Sequence, residues 1–174
     1  MKKYIVEIHC FDANGYYDMH FKRIDMVMRS IGESKLLEKK WGRSTAIGGS
    51  WALSLILKYE TTVPPLDVKK AMIGLEYLLK EDVADNEIFN GNTFFRIADI
   101  DVYDVSEKGS SKRGFLFRKG AKKRKLDKFE IFATSRLDEI IRLGRDFLRK
   151  RVSKDVLKSC KDIEQKIINE CKLF

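Results

Sequence analysis

Proline, histidine and cysteine are scarce in this chain: two prolines, two histidines and three cysteines in 174 residues. With few helix breakers and 44% apolar residues, the composition excludes a disordered or polyproline-type chain and supplies a sizeable core. Three cysteines, Cys10, Cys160 and Cys171, are an odd number at spacings that match no disulfide framework and no zinc finger. Cys160 and Cys171 stand about 16 Å apart along one helix, too far to bond or to share a metal. Reduced, intracellular thiols are expected, and with them a cytoplasmic protein. No apolar run exceeds Trp51 to Leu57, short of the roughly 20 residues of a membrane span. Met1-Lys2-Lys3-Tyr4 leads into Glu7 and His9 without an apolar stretch, which argues against a secretion signal and a membrane partner. Nucleotide-fold fingerprints and serine elbows are missing. The GRSTAIGGS segment (42–50) lacks the lysine and the spacing of a phosphate-binding loop and precedes a strand, so it reads as a turn. No cofactor is expected.

What the chain has in excess is positive charge, and unevenly. The net charge is +9. Residues 1–105 balance at −2, whereas residues 106–174 balance at +11. Such asymmetry points to a polyanionic partner and carries no information on fold. Between 112 and 128 the chain holds Lys112, Arg113, Arg118, Lys119, Lys122, Lys123, Arg124, Lys125 and Lys128, with Phe115 and Phe117 set among them. Phosphates attract such a run by charge and counterion release, and interleaved aromatics stack on unpaired bases. Arg142, Arg145 and Arg149 follow at i, i+3 and i+7, one stripe of a predicted helix whose forked side chains suit phosphate oxygens. The bland alternative is a solubilising loop or a localisation address such as KKRK.

Hydrophobic periodicity predicts an α+β fold: a mixed or antiparallel sheet with an N-terminal β-hairpin, covered by helices and ending in a C-terminal helical pair. The expected organisation is a core over 1–105, a basic loop or edge strand over 106–128, and a helical segment over 129–174 packed on the same domain. The hairpin is placed around Asn14-Gly15, the dipeptide of a type I′ turn. It puts Val6, Ile8, Cys10, Tyr17, Met19 and Phe21 on one face and Glu7, His9, Phe11, Asp18, His20 and Lys22 on the other. A competing pattern, Phe21, Ile24, Val27 and Ile31, reads as a helix over 20–31. Further expectations are a short helix at 34–41, a strand at 51–61, and a helix capped by Asp67 and running over 67–81. A turn at Asn90-Gly91 and a strand at 94–105 follow. Short strands are expected in GFLFR (114–118) and over 129–132. Last come helices over 135–151, with Ser135 and Asp138 as a capping pair, and over 154–171.

The hairpin register gives the sharpest chemical expectation. His9 falls opposite His20, close enough to share base and acid work on an RNA phosphodiester, with Lys22 steadying the charge. His9, His20 and Asp18 also form a possible divalent-metal set. Asp99 and Asp101, on one strand face with Tyr103, form a weaker Mg²⁺ candidate that reads equally as an edge guard. Both histidine sets stand against the plain reading of a hairpin's polar face. Three functions therefore compete: a nucleic-acid-binding protein, RNA somewhat ahead of DNA; a small metal-independent ribonuclease; and an inhibitor or interaction module for a protein or ribonucleoprotein. The lysine- and isoleucine-rich, proline-poor composition is compatible with a bacterial or phage source.

Overall fold

A computed structural model describes residues 2–12, 15–45, 51–79, 95–104, 123–126 and 137–171. Its elements, in chain order, are β1 (Tyr4–Asp12), α1 (Tyr17–Ile31), β2 (Ser34–Thr45), β3 (Trp51–Thr61), α2 (Pro65–Glu76), β4 (Phe95–Asp104), β5 (Lys123–Leu126), α3 (Leu137–Arg151) and α4 (Lys154–Cys171). The fold is α+β. Five strands in the order β2-β3-β1-β4-β5 form one antiparallel sheet, and the chain ends in a helical pair.

The central strand, β1, alternates as a buried strand should. Val6, Ile8 and Cys10 join Leu55, Leu57 and Tyr59 of β3 in the main core, against Ile24, Val27 and Met28 of α1 and Val68, Ala71, Met72 and Leu75 of α2. Ile5, Glu7 and His9 occupy the opposite face. The helix α2 is a middle layer. Ile73 of α2 and Tyr77, just past its end, meet Ile140 and Ile141 of α3 in a second cluster. Where α2 and α3 cross, backbone touches backbone: a Cβ on Gly74 would lie 2.3 Å from the carbonyl oxygen of Gly144. Only two glycines permit that approach. The helix α4 packs instead on α1, with Cys160 in the main core.

Two sequence expectations are corrected. Residues 17–31 are a helix, so the hairpin around Asn14-Gly15 does not form. Gly15 does take the positive φ of a turn, 80°, but the turn feeds α1. Its buried side chains, His20, Arg23, Ile24, Val27 and Met28, sit at i, i+3, i+4, i+7 and i+8, one face of a helix. The hairpin of the N-terminal half is made by β2 and β3. The segment expected as a helix at 34–41 is thus strand, with a bulge between Leu36 and Glu38. A smaller adjustment concerns α2, which starts at Pro65 and leaves Asp67 in its first turn. Strands at 51–61 and 95–104 and helices α3 and α4 stand close to where periodicity puts them. The turn at Asn90-Gly91, the strands at 114–118 and 129–132, and Ser135 lie outside the described residues.

Candidate functional site

The two-residue joint Val152–Ser153 links α3 to α4, and Ser153 starts the second helix through its carbonyl, which accepts from the Leu157 N–H at 3.0 Å. Near this joint the helices and the C-terminal end of α2 enclose an open cleft of about 270 Å³. Its lining is Leu78, Arg145, Arg149, Lys154, Leu157, Lys158 and Lys161. Five cations thus surround two leucines, and among the described residues none that lines the cleft is acidic. The arrangement follows from local sequence. On α3, Ile140, Ile141, Gly144 and Leu148 turn toward α2, which carries Arg145 and Arg149 to the flank. On α4, Cys160, Glu164 and Ile167 turn inward, and Lys154, Lys158 and Lys161, at i, i+4 and i+7, form a stripe beside them.

The cleft is partly fixed in place. The Arg145 Nε–H donates to the carbonyl oxygen of Tyr77 at 2.9 Å, which ties its guanidinium to the end of α2. Arg149 is more exposed and lies 3.6 Å from Asp146 on its own helix. Such an arrangement suits an anion of several charges, and the two lining leucines suit an apolar or aromatic group beside it.

Of the basic residues singled out from sequence, Arg145 and Arg149 line the cleft, while Arg142 is exposed on α3 outside the lining. Lys123, Arg124 and Lys125 belong to the edge strand β5, where Arg124 is the backbone partner of Val102 and Lys125 that of Asp101. Lys112, Arg113, Phe115, Phe117, Arg118, Lys119, Lys122 and Lys128 lie outside the described residues. The three lysines of α4 were missed by the sequence reading. Their i, i+4, i+7 spacing was the available signal, hidden by the acids Asp155 and Asp162 interspersed with them.

The histidine pair does not form, because the hairpin that created it does not. His9 lies on the sheet face opposite the one packed by α1 and α2, and His20 points from α1 into the core on that packed side, so the sheet separates them. His20 is held in a buried chain of polar groups. Its Nε2–H donates to Asp12 Oδ2 at 2.8 Å, and Asp12 Oδ2 also accepts from the Tyr16 N–H at 2.9 Å. The Nδ1 atom faces Arg23 Nη1 at 3.4 Å. Since a guanidinium only donates, this contact assigns the neutral Nε2–H tautomer. Arg23 Nη2 then donates to Glu164 Oε2 at 2.8 Å and to the Leu75 carbonyl at 2.9 Å. The chain joins the end of β1 to α1, α2 and α4. Burial, ahead of the opposing Asp12, holds His20 below the usual imidazole range.

His9 neighbours Glu7, and both are 7% exposed. The His9 imidazole, 3.8 Å away, and then Lys58, 3.3 Å away, bring the Glu7 carboxyl down to about 2 against the opposing cost of burial. Asp101 is the register partner of Glu7, and Asp99 that of His9. Lys22 and Asp18, the other members of the expected ribonuclease and metal sets, are exposed on α1. Among the described side chains no group of three His, Cys, Asp or Glu could hold a metal ion. No helix among the described residues is long and apolar enough to cross a membrane.

The fold and cleft define an α+β protein with a cationic groove between helices at the outer edge of its helical layers. Comparison with models of known protein families, with curated proteins and with solved structures found no match for this chain.

Proposed function

We propose that the protein binds nucleic acid, with the cleft between α3 and α4 as a phosphate-contacting surface. The observation that carries this reading is the gathering of Arg145, Arg149, Lys154, Lys158 and Lys161 around one groove with no acid among its described lining residues. A row of phosphates meets such a row of cations by charge while releasing counterions. The charge balance of +11 over residues 106–174 extends the argument beyond the groove. The two leucines of the lining favour a strand whose bases or sugars are accessible over a regular duplex.

The test is fluorescence anisotropy with labelled single-stranded RNA, single-stranded DNA and duplex over a salt series. Binding is expected to weaken linearly in logarithmic plots against salt. Changing Arg149, Lys158 and Lys161 together to Gln should weaken it and flatten the slope by about 2 if those three contact phosphates, at 0.7 per contact on a single strand. An unchanged affinity and slope in that triple variant would reject the cleft as the interface.

A further inference from the structure

Far from the glycine crossing, at the end of the sheet where α1 begins, the helix-side face of β2 and β3 is not fully covered. Trp41 of the edge strand β2 is 53% exposed and Leu53 of β3 is 58% exposed. Both belong to the face that elsewhere forms the core, because Trp41 pairs with Leu55 and Leu53 pairs with Arg43. Soluble proteins seldom leave a tryptophan so open, and here it is not loosely placed. Tyr17, the first residue of α1, meets it edge to face, with ring centroids 4.6 Å apart and planes at 83°. The Tyr17 hydroxyl in turn donates to the Leu53 carbonyl oxygen at 3.3 Å. An indole braced at its side still has a flat surface to offer.

Cations border it. Arg43 is exposed two residues along the same face of β2. Lys39, two residues the other way, has its ammonium 4.5 Å from the centre of the Phe21 ring and 2.7 Å from Asp18. Lys22 is exposed on α1, close enough to help hold the Asp18 carboxyl low, after Lys39 itself. Among the described residues, Lys39, Arg43 and Lys22 outnumber the two carboxylates near Tyr17, Asp18 and Asp12, of which Asp12 is buried against His20.

We infer that Trp41, braced by Tyr17 and flanked by Lys39 and Arg43, is a stacking platform for an unpaired base of a single-stranded nucleic acid. The inference rests on the nucleic-acid reading above and adds a second contact, on a different layer of the fold, that selects single strands. An aromatic face accepts any base, so the platform supplies strand-state preference without sequence preference, while the two cations meet the phosphates on either side. In a duplex the base faces are already stacked, and the platform has nothing to hold.

The experiment uses the whole chain and a twelve-nucleotide oligothymidine, with a duplex of equal length for comparison. The chain has two tryptophans, so emission is read in a Trp51→Phe background. Oligothymidine is expected to quench Trp41. Trp41→Ala should weaken single-strand binding roughly 5- to 150-fold, as the loss of one stacked base implies, and leave both duplex affinity and the salt slope unchanged. Trp41→Phe should retain most of the affinity, since a smaller ring still stacks. Single-strand binding that survives Trp41→Ala with no quenching in the parent would overturn the platform and leave the cleft standing. Absence of all oligonucleotide binding by the parent would remove both. Concentration-dependent dimerisation in sedimentation, lost in Trp41→Ala, would give the face to a second copy and also overturn the inference.

Discussion

Arg23 is the largest fully buried side chain of the described core, at 0% exposure, and its charge is met by Glu164 and the Leu75 carbonyl. A buried ion pair of this kind is costly to assemble and costlier to break from one side. Arg23→Met should therefore destabilise the protein by about 3–5 kcal/mol, because Glu164 and His20 lose their partner together. Adding Glu164→Leu should recover part of that loss. Urea unfolding of the single and double variants measures both, and equal stability of the two would mean that Glu164 is not stranded by the first change. At this scale the sequence was hard to read. Two of the five inward positions of α1 are His20 and Arg23, so a pattern that counts only apolar residues sees gaps where the helix has contacts.

The crossing of α2 and α3 makes its own demand at the level of elements. A Cβ at residue 144 would come within 2.7 Å of the Gly74 nitrogen and 2.9 Å of the Lys70 carbonyl oxygen, both backbone atoms that cannot swing away. Gly144→Ala is expected to push the helices apart and cost about 1–3 kcal/mol, despite the better helix propensity of alanine. The displacement should also loosen the Arg145 bond to Tyr77, so oligonucleotide affinity should fall with thermal stability. A variant as stable as the parent would show that the crossing relaxes. Periodicity located this element well, since Ile140, Ile141, Gly144, Phe147 and Leu148 form its stripe, but no pattern announces that a glycine faces a glycine. Residues 34–41 were misread for a different reason. Lys35, Leu36, Leu37, Glu38, Lys39 and Lys40 are good helix formers, and the bulge at Leu36/Glu38 breaks the two-residue alternation that marks a strand. Tertiary pairing with β3 overrode propensity there. On the cleft, the sequence showed Arg145 and Arg149 as a stripe, but bringing the lysines of α4 beside them needed the joint at Val152–Ser153.

For the molecule as a whole, two buried titrating groups, His20 and Glu7, lie on opposite sides of the sheet and should lower its stability over two pH ranges as acid is added. His20 resists protonation when folded, so the unfolded chain takes up the proton first, and stability falls as pH drops below roughly 6.5. Glu7 keeps its charge in the fold down to about 2. Its contribution is present above the ordinary carboxylate range and disappears as pH falls through that range toward 2. Urea midpoints between pH 8 and pH 3 should show both limbs, and His20→Gln should flatten the one nearer neutrality. A His20→Gln profile parallel to the parent's would assign the first limb elsewhere.

The sheet order places β1 between β3 and β4, so the earliest of the five strands to leave the ribosome is the one in the middle. Until Phe95–Asp104 has been translated, one hydrogen-bonding side of that strand has no native neighbour. Assembly is thus weighted toward distant partners and should be slow for a protein of this length, with slower translation or a holdase chaperone shielding the waiting strand.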